Sequence, residues 1–173
     1  EQGQRVSLWR DATPGRGGRG RRARNAEEAG RLLDAGPHRS TPGSRILIAL
    51  TRMVTARGHR LPELIDRCDD VLALVDQASR VEVPAAAAYA LLARHNRGIG
   101  LFHRGEIDAS AAELVASRAT AEDLGLSLTA LAAETHLALA DVVRGELAAA
   151  ADRIAMMTAT VGGRGGTRQP QAV

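Results

Sequence analysis

Asn96-Arg-Gly-Ile-Gly-Leu-Phe-His-Arg-Gly-Glu-Ile-Asp-Ala-Ser-Ala111 is the stretch that decides the fold of this chain. Its first half carries apolar residues at helical spacing, Gly105 interrupts them, and small and apolar residues then begin again. Glycine tolerates the left-handed conformation that closes many helices, so the string predicts a helix end, a tight turn and a new helix. Forty residues later, Gly145-Glu-Leu-Ala-Ala-Ala-Ala-Asp152 has the same form, and 47 residues earlier Gly58-His-Arg-Leu-Pro-Glu-Leu-Ile65 has it loosely. A period of this size, two helices to the unit, is the mark of stacked helical hairpins. One hairpin cannot bury its own apolar face, and stacking makes a continuous core.

Outward from that string, periodicity predicts six helices over about 44–57, 62–79, 84–104, 107–124, 128–144 and 146–159. Leu61, Leu64, Ile65, Cys68, Val71, Leu72 and Val75 recur at three- and four-residue steps and so share one face of the second. Pro84 suits a first helical position, and Ser127 suits an N-cap. Gly58, Gly105, Gly125 and Gly145 follow periodic stretches, and Arg57, Arg104 and Arg144 precede three of them, where a cation complements the helix dipole. Short joining loops predict antiparallel neighbours.

Composition agrees. Of 173 residues, 45% are hydrophobic but only Trp9, Tyr89 and Phe102 are aromatic, which disfavours a sandwich or barrel. Alanine, leucine and arginine, which dominate, are strong helix formers. All 23 basic residues are arginine. Residues 1–25 carry a net charge of +5, residues 26–160 a net −4, and Arg164 and Arg168 add +2. The middle thus gives no basic nucleic-acid surface. The expected organisation is a largely disordered basic arm over 1–43 with a short helix at 26–35, a helical domain over 44–160 and a disordered Gly/Arg-rich tail over 161–173. The single Cys68 allows no internal disulfide, no apolar run is long enough to span a bilayer, and the first residues lack the apolar core of a secretory signal. A cytoplasmic protein with no membrane contact is the expectation.

The quoted string resembles a tetratricopeptide (TPR) repeat. In that family a small residue on the first helix lets the second approach closely, a glycine seven residues on ends the first helix, and a small residue beyond packs back into the gap. Gly98, Gly105 and either Ser110 or Ala111 match these places, and Ala138, Gly145 and Ala150 match them in the next unit. Residues 44–80 match only at Gly58, with Thr51 in the close-contact place. Ala119-Thr-Ala-Glu-Asp-Leu-Gly125 and Leu137-Ala-Leu-Ala-Asp-Val-Val-Arg-Gly-Glu-Leu-Ala-Ala-Ala150 are similar to the degenerate repeats of large bacterial transcriptional regulators of the MalT/LuxR type. The resemblance covers about 85–158. It implies an all-α, short TPR-like solenoid of antiparallel helix hairpins acting as the regulatory or sensory portion of such a regulator. The chain departs from that family in having neither a Gly-x-x-x-x-Gly-Lys-Ser/Thr phosphate loop nor a recognisable DNA-reading domain.

Candidate chemistry is sparse. Gly15-Arg-Gly-Gly-Arg-Gly20 satisfies Gly-x-Gly-x-x-Gly in form, but Asp11-Ala-Thr-Pro14 is no strand, as a dinucleotide site requires. His95 and His103 are eight residues apart, about 12 Å along a helix, too far to share an ion. His95 is expected in the core with one hydrogen bond. Cys68, apolar in setting and flanked by Asp66, Asp69 and Asp70, is expected to be a poor nucleophile. Asp66, Asp69, Asp70 and Asp76 read as a solvated acidic face. No catalytic, cofactor or metal site is expected. Exposed residues on the first helix of each pair would line a solenoid's groove; Arg94, Arg97 and Glu134 are the candidates, against ordinary surface charges. The expected function is a non-enzymatic scaffold holding a protein or peptide in that groove. The alternative is a nucleic-acid-associated protein, making weak contact through residues 16–24 of the Arg/Gly arm.

Overall fold

A computed structural model describes residues 28, 31, 41–78 and 82–164. Those residues hold six α-helices: α1 (Pro42–His59), α2 (Leu64–Gln77), α3 (Ala86–His103), α4 (Ile107–Asp123), α5 (Ser127–Arg144) and α6 (Leu147–Arg164), with a 3-10 turn at Leu61–Glu63. There is no strand among them, so the all-α expectation holds. The expected disorder of residues 1–25, and of the tail beyond Arg164, lies outside the described residues. Within the expected 26–35 helix, Glu28 and Arg31 are helical and form an ion pair of 2.8 Å.

Three helix ends share one construction. Gly105, Gly125 and Gly145 have φ of 81°, 69° and 81°, the left-handed conformation that glycine adopts without steric cost. The next residue's N–H reaches back to the last helical turn: Glu106 to the Leu101 carbonyl at 3.0 Å, Leu126 to Ala121 at 2.8 Å and Glu146 to Asp141 at 2.8 Å. The glycine N–H groups bond Phe102, Glu122 and Val142, each at 3.0 Å. These are Schellman motifs, which satisfy carbonyls that the helix leaves orphaned. They recur every 20 residues, a half-period that underlies the 40-residue repeat of hairpins. Joints this short turn each helix back along its predecessor.

Besides α2, which spans Leu64–Gln77 against the expected 62–79, local limits differ from expectation in five places. α1 begins at Pro42, not 44, because Thr41 is an N-cap whose Oγ1 accepts the Ser44 N–H at 3.2 Å and Pro42 fills the first turn without wasting a donor. Gly58 is an ordinary helical residue; α1 runs on to His59 and its end is set by Arg60, whose N–H closes on Ala56 at 2.7 Å before Pro62 opens the 3-10 turn. Pro84 sits two residues before α3, in a turn closed by the Ala86 N–H on Val83 at 3.0 Å. Ser127 is the first residue of α5 and makes no cap bond; the Leu126 backbone takes the cap place. Helix α6 continues through 161–164, part of the expected tail, with Thr158 and Thr160 hydroxyls donating to Ile154 and Met156 carbonyls at 2.8 and 2.9 Å.

Each helix packs mainly on the next one along the chain, and α3 also meets α1 and α5. The main apolar cluster joins α1, α2 and α3 through Ile46, Leu50, Met53, Leu64, Cys68, Val71 and Ala93. At the α3–α4 contact, a Cβ built on Gly98 would lie 2.8 Å from Leu114 Cγ and 3.4 Å from the Ser110 carbonyl oxygen. The Ser110 hydroxyl donates to the Gly98 carbonyl at 2.7 Å, fully buried. Of the two sequence candidates, Ser110 therefore fills the gap over Gly98, and Ala111 is only half-buried. Ala138 and Ala150 are buried at the equivalent places of the α5–α6 hairpin.

Candidate functional site

The three groove candidates are all drawn into ion pairs between helices. Arg97 on α3 donates from Nε to Asp69 on α2 at 2.8 Å and from Nη1 to Glu113 on α4 at 2.6 Å. Arg94, one turn earlier and half-exposed, approaches Glu113 at 3.9 Å. Glu134 on α5 accepts from Arg118 on α4 and, at 2.8 Å, from Arg153 on α6. Arg153 also donates from Nε to Asp141 on α5 at 2.6 Å, and the Asp141 side chain is 5% exposed. Helices α3 and α5 thus each place one charge between two neighbours, with the sign reversed: a cation between carboxylates on α3, a carboxylate between guanidinium groups on α5.

The electrostatics follow from this enclosure. Burial opposes ionisation of Glu134, but the hydrogen bonds from Arg118 and Arg153 outweigh it and hold the carboxyl below its ordinary range. Arg97 and Arg153 are held charged by the carboxylates around them, against the cost of partial burial. Pairs shielded from water on one side resist salt more than fully exposed ones.

Glu134 and Arg118 also floor a groove of about 460 Å3 between α4, α5 and α6. Ala130, Leu131, Met156 and Met157 give it apolar walls, and Glu122, Ser127 and Thr160 a polar rim. Methionine is flexible and polarizable, so such walls adapt to different apolar side chains. Arg94 and Arg97 do not line this groove. A second cleft, about 520 Å3, lies between α1 and α2 against Ile48, Ala49, Ala73 and Leu74, edged by Arg45, Arg52 and Asp70. The α4–α6 groove is the one that joins a sequence candidate to an apolar wall and a fixed charge array.

Sequence reasoning missed Arg118, Asp141, Arg153 and both methionines. A signal was present: Arg97–Glu113 and Arg118–Glu134 are each 16 residues apart, the separation that brings residues of consecutive helices face to face across these short turns.

The remaining chemical candidates are structural. Cys68 is fully buried, and burial, with Asp69 and Glu113 nearby, pushes its thiol up to about 12. His95 is buried with His136 edge-on at a ring separation of 5.5 Å. Burial, then His136 and Arg57, lower its pKa to about 4, so it is neutral. Its Nδ1 has no hydrogen-bond partner among the described residues, so the single bond expected there is not made at that atom. His136 Nδ1–H donates to the Ala132 carbonyl at 2.9 Å. Among the described residues no group of three or more His, Cys, Asp or Glu is placed to hold a metal, and no helix is long and apolar enough to cross a membrane. No protein-family model, curated protein or solved structure matches this chain.

Proposed function

We propose that this chain is a non-enzymatic protein-interaction scaffold, a short TPR-like solenoid serving as the regulatory or sensory portion of a bacterial transcriptional regulator. The observation that carries the binding role is the methionine-walled groove over the Arg118–Glu134–Arg153 array. An apolar trough with fixed charges in its floor and polar residues at its rim suits an amphipathic helix, which is read by apolar anchors one turn apart. The ion pairs keep α4, α5 and α6 in one relative position, so the trough is preformed and costs little ordering on binding. The solenoid reading is supported by the 20-residue recurrence of Schellman ends and by the close approach at Gly98 and Ser110. The regulator reading rests on the similarity of residues 119–125 and 137–150 to that family's repeats.

Selection of helical peptides from a random amphipathic library on the full chain, followed by calorimetry, tests the binding role. Leu131→Asp, which puts an unpaired carboxylate in the trough wall, should weaken the selected peptides at least about tenfold. Equal affinity for wild type and variant would remove the groove from consideration.

A further inference from the structure

The outer face of α6 is apolar and nearly free of charge, although α6 is the last described helix. Leu147, Ile154 and Val161 are 65%, 52% and 57% exposed, and Ala151 and Thr158 are exposed between them. These five residues follow one another at four- and three-residue steps, so they form one straight stripe about 21 Å long. Between Leu147 and Val161 the only charged residues are Asp152, which lies off the stripe, and Arg153, which is held by Asp141 and Glu134.

The same stripe exists one hairpin earlier, where it is covered. Forty residues back it reads Ile107, Ala111, Leu114, Arg118 and Ala121 on α4. There it lies between two helices, with Leu114 over Gly98 of α3 and Arg118 bonded to Glu134 of α5, and Leu114 and Ala121 are 0% exposed. The positions enclosed on α4, which packs on both α3 and α5, therefore stand open on α6, which packs on α5.

We propose that α6 of a second copy of this chain covers the stripe, antiparallel, about a two-fold axis beside Asp152 and Arg153. The stripe is self-complementary in that orientation. It alternates large and small residues, and the two-fold sets Ala151 against Ile154 of the second copy and Thr158 against Leu147 of the second copy. Each contact recurs with the copies exchanged, as an isologous interface requires. Large side chains thus meet small ones in four layers, the complementarity that helix packing needs. Thr158 can enter an apolar layer because its hydroxyl is already satisfied by the Ile154 carbonyl at 2.8 Å. Leu147 of the second copy then reaches a shallow cleft lined by Leu131, Thr135, Met157, Thr158 and Val161. The result is a four-helix arrangement of α5 and α6 from both copies.

Sedimentation equilibrium of the full chain, from low micromolar to near-millimolar concentration, tests this. The expected result is a monomer–dimer equilibrium that Ile154→Arg weakens at least about tenfold with no change in circular dichroism, since Ile154 is half-exposed in the monomer. A mixture of Ala151→Cys and Ile154→Cys single variants should form a mixed disulfide faster than a mixture of Ala149→Cys and Ile154→Cys, because residue 149 lies across the helix from the stripe. Cys68 adds no background, being buried with its thiol pushed to about 12. A monomer at every concentration, a dimer that survives Ile154→Arg, or equal cross-linking in the two mixtures would each overturn the proposal.

Discussion

Gly98→Ala should destabilise this protein, while Gly58→Ala should not. Both glycines are helical, but the added methyl meets different surroundings. At Gly98 it would lie 2.8 Å from Leu114 Cγ and 3.1 Å from Cδ2, with the Ser110 carbonyl oxygen at 3.4 Å. Leu114 cannot swing aside: the nearest atom is its branch point, and the residue is fully buried. Helices α3 and α4 must separate instead, stretching the 2.7 Å bond from Ser110 to the Gly98 carbonyl. Overpacking costs about 1–3 kcal/mol, and with Leu114 pinned the upper part of that range, about 2–3 kcal/mol, applies; replacing a helical glycine by alanine returns up to about 1 kcal/mol. The net expectation is a loss of about 1–2 kcal/mol. At Gly58 nothing lies within 4 Å, so only the propensity gain, about 0.5 kcal/mol near a helix end, should remain. Urea unfolding followed by far-UV circular dichroism reads both. With a slope of roughly 2 kcal/mol/M, the Gly98→Ala midpoint should fall by about 0.5–1 M at unchanged slope. Adding Leu114→Ala should cost less than the sum of the single changes, because each substitution relieves the other. A Gly98→Ala midpoint equal to or above wild type would refute the close-contact argument.

Three further outcomes follow from the buried groups. Because His95 has a folded pKa of about 4 against an ordinary 6.5, the unfolded chain takes up a proton between those values that the folded chain refuses; stability should rise by about 1–3 kcal/mol from pH 4 to 6.5 and gain nothing from this residue above that. His95→Leu should flatten that slope, and an unchanged slope would show that another group sets it. Glu134→Gln should cost about 1–3 kcal/mol, since it leaves Arg118 and Arg153 facing a neutral amide in a half-enclosed site; a loss below about 0.5 kcal/mol would class the cluster with ordinary surface pairs. Alkylation of Cys68 by iodoacetamide should be negligible in the folded protein and complete in denaturant, and stoichiometric labelling of the native state would contradict its burial.

Helix number and the glycine-closed helix ends at 105, 125 and 145 were legible because their causes are local. Periodic apolar residues set each stripe, and Gly105, Gly125 and Gly145 each close a helix through the conformation of a single residue. Where local signals compete, the reading slipped: Pro84 and Gly58 have the right composition for a boundary but not the boundary itself, and Thr41-Pro42, a cap and first turn, reads equally as loop. The close approach at Gly98 was expected through the resemblance to a tetratricopeptide repeat, which places a small residue seven positions before a helix-ending glycine.

What the groove candidates do was not legible. Arg97 and Glu134 look like free surface charges because nothing near them in the chain shows what lies opposite. That depends on how each helix is rotated about its axis and how far it slides along its neighbour, which many side chains settle together across the array. Local sequence was enough to make the described residues helical and to close three of the helices at glycine. Packing between helices is what made Arg97 and Glu134 clamps, brought Met156 and Met157 into one groove with Arg118, and left the α6 stripe open. A helix depends on neighbours a few residues away, whereas a contact between helices depends on the packing of the whole.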